Sequence, residues 1–253
     1  MKFLYFCYKL LAFKYFPKIM HPQKIFFKGK FINYGSRLWF AHNYKEIFLD
    51  KNYLFHTENN HPFIIDCGAN IGLSVIFFKF LYPNSDIIAF EPDENMYQQC
   101  VNNIKTFNFN NVKIFKEAVW TADTELEFVS TKNLGGQIKF NIEIKGNILN
   151  VKAVRLLNKI DRKIDFLKID IEGAETELIK DISEKLYLVE NIFIEYHSYA
   201  NQVQDLSIIL EILKNAGFKY YIKEAYPNKI LPFIEKNKKS TFDLQLNIFG
   251  YRI

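Results

Sequence analysis

Short apolar runs, glycine turns and amphipathic stretches alternate through most of this chain. Phe63–Ile65 form a continuous apolar run that reads as a buried strand and ends at Asp66. Gly68 and Gly72 bracket a tight turn, and 73–81 continue as an apolar helix. The same pattern recurs downstream. Ile87–Phe90 reads as a strand ending at Glu91-Pro92, and Asp93 can cap a helix over 94–106. Val112–Phe115 is a third strand, ending near Glu117. Asp165–Ile169 is a fourth, followed by a helix over 174–184 and a fifth strand over 188–196. Leu206, Ile209, Leu210 and Leu213 lie at helical spacing within 202–216, and Gly217 is a natural C-terminal stop. Strands over 218–222 and 242–252 close the chain across a polar loop, Lys236–Ser240. Alternating strands and helices predict an α/β fold with a mostly parallel sheet covered on both faces. The last two strands predict an antiparallel hairpin at one end of that sheet.

Two regions break the alternation. Residues 125–129, 137–140 and 149–154 read as short strands joined by turns at Gly135-Gly136 and Gly146-Asn147, a β-rich insert near 124–154. Residues 1–60 form a lead-in to a main domain over 61–253. Its aromatic segments 25–27, 38–40 and 53–55 predict a small β-rich or mixed unit covering one side of that domain. Residues 1–20 are aromatic and apolar, but Lys2, Lys9, Lys14 and Lys18 interrupt them on more than one helical face. A segment packed on the main domain is expected there, ahead of a weak peripheral membrane contact or a secretory signal.

Composition narrows the class. Of 253 residues, 49% are hydrophobic, which supports a full core and excludes global disorder. The formal net charge of +5 is spread along the chain, without the basic stripe of a nucleic-acid binder, so no nucleic-acid partner is expected. The three cysteines, Cys7, Cys67 and Cys100, have no paired spacing, which points to a reducing, cytoplasmic setting. His42, His56 and His61 form no ligand-spaced cluster.

The chemistry gathers at the predicted strand ends, where open α/β sheets bind their ligands. Four of those ends carry acids: Asp66, Glu91, Glu117 and Asp170. Glu91 is placed to accept both hydroxyls of a ribose. Asp66 lies at the glycine turn, where it would repel a pyrophosphate but attract an ammonium group. Gly68-Ala-Asn70-Ile-Gly72 is not the dinucleotide fingerprint, and no Gly-Lys-Ser/Thr follows for a phosphate loop. A ribose acid, a turn open to backbone contact and an acid for an ammonium fit S-adenosylmethionine. A second cluster follows. Asp170, Glu172 and Glu175 crowd the end of the fourth strand, while Glu195 and His197 share one face of the fifth. Asp170, Glu172 and His197 together could take a proton from an acceptor hydroxyl. The alternatives are a structural hydrogen-bonded network or a divalent metal site, and no metal is expected.

Ile65-Asp-Cys-Gly-Ala-Asn-Ile-Gly-Leu73, Glu91-Pro92, Lys168-Ile-Asp-Ile-Glu-Gly-Ala-Glu175 and Glu195-x-His197 resemble the FkbM family of S-adenosylmethionine-dependent methyltransferases over about residues 44–253. The resemblance implies a class I methyltransferase fold, a Rossmann-like seven-stranded sheet with its last strand antiparallel. It also implies methyl transfer to oxygen, on sugars, glycans or other small molecules such as polysaccharide components. On that reading Asp66, Gly68, Asn70, Gly72, Glu91 and Glu117 hold the cofactor. His197, Asp170 and Glu172 carry the proton transfer, with His197 or Asp170 beside it as the acceptor. The insert and residues 22–60 form the acceptor pocket. Asp-Ile-Glu-Gly at 170–173 departs from the tetrapeptide of nucleobase amino-methylation. A nicotinamide-dependent oxidoreductase and a non-catalytic cofactor-binding protein are the rival readings.

Overall fold

A computed structural model describes residues 20–21, 24–131, 135–138, 147–236 and 240–253. The reading of residues 1–19 and that of the turn at Gly146 lie outside the described residues. No helix among the described residues is long and apolar enough to cross a membrane.

The lead-in is mixed. It opens with a small antiparallel sheet of β1 (Met20–His21), β2 (Lys24–Phe27) and β3 (Lys30–Asn33). Helix α1 (Arg37–Tyr44) follows and runs on into one wider turn, Lys45–Leu49. The alternating domain then begins with β4 (Phe63–Cys67), α2 (Leu73–Leu81), β5 (Asp86–Phe90), α3 (Glu94–Phe107) and β6 (Val112–Phe115). Asp93 caps α3 as its sequence predicts, its Oδ1 accepting from the backbone N–H of Asn95 and Met96.

The insert forms a separate four-stranded sheet of β7 (Ala118–Trp120), β8 (Thr124–Thr131), β9 (Gly135–Ile138) and β10 (Asn147–Arg155), in the order β7-β10-β8-β9. The sequence reading missed β7, which pairs parallel to β10. Three residues are too few to show a period. The remaining elements are β11 (Ile164–Ile169), α4 (Glu175–Ile182), β12 (Val189–Tyr199), α5 (Leu206–Asn215), β13 (Lys219–Tyr226) and β14 (Phe242–Tyr251).

The main sheet has seven strands in the order β13-β14-β12-β11-β4-β5-β6, parallel except for β14. β13 and β14 do form an antiparallel hairpin, but the last strand lies inside, between β12 and β13. Burial explains the inversion. β14 carries Leu244, Leu246 and the fully buried Ile248, whereas Tyr220, Tyr221, Lys223 and Glu224 of β13 are exposed and suit an edge.

β4 and β11 are buried at every position, as central parallel strands should be. Alternate side chains feed two cores. Ile65, Leu167 and Ile192 pack against Leu178 of α4 and Ile209 and Leu213 of α5. Ile64, Phe166 and Phe193 face α2 and α3, and residues Phe27, Ile32, Phe40, Ile47, Tyr53 and Phe55 of the lead-in complete that core. The lead-in thus closes over the main sheet, which brings α1 and Tyr53 toward the strand ends.

Candidate active site

Register assembles the site. Lys168 lies level with Asp66 on one side and Phe193 on the other, and Cys67 lies level with Phe90. The chain leaves β4, β5 and β11 one residue later, at Gly68, Glu91 and Asp170, while β12 runs on through Glu195, His197 and Tyr199.

The glycine turn is held by the sheet. The N–H groups of Gly68 and Ala69 both donate to Phe90 O, at 3.0 and 2.9 Å. Gly68 (φ +92°) has no room for a side chain, because a Cβ would lie 1.9 Å from the backbone oxygen of Asp170. At Gly72 (φ +86°) a Cβ would lie 2.9 Å from Cys100 Sγ on α3. These glycines therefore allow chain to approach chain, which aims the intervening backbone at Glu91. Asn70 N donates to Glu91 Oε2 at 2.7 Å, and Asp93 N donates to Oε1 at 2.9 Å. Each Glu91 oxygen keeps a lone pair for a further donor. Burial pushes the Glu91 carboxyl up to about 7, against the pull of those two N–H groups.

Asp66 is fully buried. Its Oδ2 accepts from Ser74 Oγ at 2.5 Å, and Lys168 Nζ lies 3.3 Å from Oδ1. That Oδ1 has no hydrogen-bond partner, so a buried acceptor remains beside the turn. Lys168 also donates to Gly68 O at 2.8 Å and lies 3.2 Å from Asp170 Oδ2. Burial opposes its charge, but Asp170 and Asp66 outweigh burial and hold its pKa well above the ordinary value. The sequence reading passed over Lys168. Its signal was a lysine inside the otherwise apolar Phe166-Leu-Lys-Ile169, a position that no solvated face explains.

The second cluster closes around His197, whose side chain is 2% exposed. Its Nδ1 lies 3.1 Å from Glu175 Oε1, and its Nε2 lies 3.5 Å from Glu195 Oε1 and 3.6 Å from Glu172 Oε2. Single polar atoms of Asp170, Glu172 and His197 all lie within 4.8 Å of one another. Burial disfavours the charged ring, but Glu172, Glu175 and Glu195 together hold His197 well above its ordinary pKa. These acids therefore favour the imidazolium form of the ring. Burial pushes the Glu172 carboxyl up to about 8, with His197 pulling it down and Asp170 and Glu195 pushing it up. Its side chain is 38% exposed at the mouth, where solvent tempers that push.

The backbone here is unusual. Glu172 holds φ +59° and Gly173 φ +101°, and a Cβ on Gly173 would lie 2.5 Å from the Tyr199 ring. Tyr199 OH donates to Glu172 O at 2.9 Å, and Phe242 packs on both the His197 and Tyr199 rings with centroids 5.0 Å apart. Glu175 accepts from Gly173 N at 3.0 Å, which ties the start of α4 to this loop.

The lead-in adds Glu46 and Tyr53, which no local pattern marked. Glu46 accepts from Asn247 Nδ2 at 3.4 Å and lies 3.2 Å from His42 Nε2. Glu46, Asp170 and Glu195 all act on the buried Tyr53, whose pKa is raised chiefly by burial. Glu117 follows the end of β6, beside the strand that ends at Glu91, and is paired with Lys152 of β10.

A mostly parallel seven-stranded sheet with an inserted antiparallel last strand, an acid after the second strand and a glycine turn after the first define a class I methyltransferase. The family follows from the chain itself. The Methyltransferase FkbM domain matches residues 66–220, and the chain belongs to that family, whose methyl donor is S-adenosylmethionine. Two relatives are Methyltransferase sdnD of Sordaria araneosa, 30% identical over 60% of this chain and 73% of its own length, and 2-O-methyltransferase NoeI of Sinorhizobium fredii, 24% identical over 62% and 72%. Among solved structures, methyltransferase FkbM from Methylobacillus flagellatus superposes with a TM-score of 0.53 at 16% identity, covering 82% of this chain and about half (48%) of that one. TYW2 of M. jannaschii, in complex with AdoMet, superposes with a TM-score of 0.51 at 12% identity, covering 92% and 89%.

Proposed function

We propose that this methyltransferase acts on oxygen, at a hydroxyl of a sugar, a glycan or another small polyhydroxyl acceptor. The observation that carries this reading is the Asp170–Glu172–His197 group at the open strand ends, its polar atoms within 4.8 Å of one another. O-methylation by the relative NoeI supports the same class.

S-adenosylmethionine, when bound, supplies an electrophilic methyl group. The chain then has to hold donor and acceptor and find a place for one proton. Glu91 would take the ribose hydroxyls with its free lone pairs, and the Gly68–Gly72 backbone would lie along the donor. Asp66 Oδ1 makes no hydrogen bond, and with Lys168 Nζ 3.3 Å away it would share its charge between that lysine and the donor's ammonium group. Glu172 stands at the mouth with its pKa raised to about 8, so the deprotonated fraction present near neutral pH is a stronger base than an ordinary carboxylate. The acids around His197 favour its protonated form, so its role is to hold Glu172 in place and stabilise its charge. Asp170 supports both. Among the described residues, six acidic side chains, those of Glu46, Asp66, Asp170, Glu172, Glu175 and Glu195, gather around Lys168 and His197. Such a field disfavours a polyanionic acceptor, so nucleic acid is not the proposed substrate.

The test is methyl transfer from labelled donor to a panel of sugar hydroxyls, with S-adenosylhomocysteine affinity measured alongside. Glu172→Gln and His197→Ala should each lower turnover by about 10²–10⁴-fold and leave that affinity within about threefold. Unchanged turnover in both variants at saturating acceptor would remove them from the chemistry.

A further inference from the structure

His197 is held the way a metal ligand is held. Its ring is buried, and the equally buried Glu175 places Oε1 3.1 Å from Nδ1. A carboxylate on one ring nitrogen fixes the tautomer and aims the other nitrogen, the arrangement that orients metal-binding histidines. Phe242 packs on the ring with centroids 5.0 Å apart and limits its rotation. The nitrogen so aimed, Nε2, faces Glu195 Oε1 at 3.5 Å and Glu172 Oε2 at 3.6 Å. Both separations exceed the roughly 2.7–2.9 Å of a charge-assisted hydrogen bond. They come closer to the edge of a coordination shell. Two ligand atoms each about 2.1 Å from one ion stand about 3.0 Å apart at a right angle and about 3.4 Å apart at the tetrahedral angle. One polar atom from each of Asp170, Glu172 and His197 lies within 4.8 Å of the others, so small side-chain shifts bring all three to a single ion.

The local charge calls for a cation. Lys168 divides its charge between Asp66 and Asp170, 3.3 and 3.2 Å from Nζ. Glu172, Glu175 and Glu195 share one imidazole. A buried group of acids is stabilised by a positive charge that several of them can reach at once. Access is open on one side. Glu172 is held at φ +59° with its carbonyl accepting from Tyr199 OH at 2.9 Å, and its side chain stays 38% exposed at the mouth. An ion therefore has an entry path to oxygens that are already positioned.

We propose that Asp170, Glu172 and His197 Nε2 bind one divalent cation of the manganese or zinc kind, with Glu195 as a further oxygen in reach and Glu175 as the outer carboxylate that orients the ring. One imidazole nitrogen among carboxylate oxygens suits first-row ions better than calcium, which takes oxygen ligands. The bound ion takes the place of the ring proton that the same acids otherwise favour. The sequence reading weighed a metal at this cluster and expected none. No sequence pattern shows that Glu175 faces Nδ1, which is the contact that aims Nε2. Ion binding stands on this geometry alone. Its use, to hold an acceptor hydroxyl beside the methyl donor, rests on the oxygen reading above, and a hydroxyl bound to such an ion gives up its proton more readily.

The experiment is titration of the full chain with Mn²⁺ after dialysis against EDTA, with free Mn²⁺ read by electron paramagnetic resonance and Zn²⁺ added as competitor. Saturable binding of one ion per chain is expected, displaced by Zn²⁺. Glu175→Gln should weaken it by about 10–100-fold, and His197→Gln and Asp170→Asn by at least as much. Glu177→Gln, which changes an exposed acid on the same helix, should bind like wild type. S-adenosylhomocysteine affinity should stay unchanged in all four variants, which reports an intact fold. Wild-type chain that binds neither ion saturably would overturn the proposal. So would binding that persists in both His197→Gln and Asp170→Asn, which would assign it to other surface acids. These readouts use no acceptor. Methyl transfer to an atom other than oxygen would therefore refute the oxygen reading and leave ion binding standing.

Discussion

Glu175 Oε1 lies 3.1 Å from Nδ1 of His197, and the two side chains are 1% and 2% exposed. A buried carboxylate therefore fixes one ring nitrogen and leaves Nε2 turned toward Glu172 and Glu195. Glu175 begins α4, where a negative charge is also favoured by the helix N-terminus, and it accepts from Gly173 N. The same side chain thus starts a helix, orders a strained loop and orients the ring.

Glu175→Gln should separate orientation from donor binding. The ring loses a charged partner, so the His197 pKa falls toward its ordinary value. Turnover should drop about a hundredfold, because Glu172 is no longer held in place. Donor-product affinity, measured by calorimetry, should be unchanged. The limb of the pH–rate profile that reports this cluster should also move.

Stability should fall as the pH rises toward neutrality, and Glu91 should be one source. Its folded pKa is raised from 4.5 to about 7. A raised value means that the folded chain binds the proton more tightly than the unfolded one. The associated stability is complete below about 4.5 and is lost as the pH climbs through about 7. Between those limits wild type should lose about 3 kcal/mol relative to Glu91→Gln. Melting both proteins across this range checks the difference, and parallel curves would refute it.

Lys168→Met should be severely destabilising, by about 3–5 kcal/mol, because Asp66 is left charged and buried beside Asp170. Adding Asp66→Asn should recover a large part of that loss. Denaturant titration of the two single variants and the double variant reads the coupling directly. Additive losses would show that the ion pair carries no net interaction.

Gly68→Ala and Gly29→Ala should differ although both residues have positive φ. Gly29 (φ +83°) has nothing within 4 Å of a built Cβ, whereas Gly68 would place one 1.9 Å from Asp170 O. The first change should cost about 1 kcal/mol, the conformational penalty alone. The second should cost several times more, or prevent folding, because backbone cannot move aside as a side-chain tip can. Chemical denaturation ranks the pair.

The sequence by itself determined the periodic elements and most of their ends. Phe63–Ile65, Val112–Phe115 and the capped helix after Asp93 were legible because strand burial, helical spacing and capping are local. The acids Glu91, Asp170 and Glu172 and the ring of His197 were legible as well, since a polar residue that ends an apolar run stands out. Only the tertiary structure decided what those residues face. β14 lies inside the sheet because its apolar side chains gain more from burial than the tyrosines and lysines of β13. Gly68 turned out to make room for Asp170 O, more than a hundred residues away in the chain. Lys168 became the partner of Asp66, and Glu46 and Tyr53 reached the crevice, through packing that no local period encodes. The protonation of His197 belongs to the same level. An isolated imidazole is neutral above about 6.5, and three acids gathered from β12, α4 and the preceding loop shift this one toward its charged form.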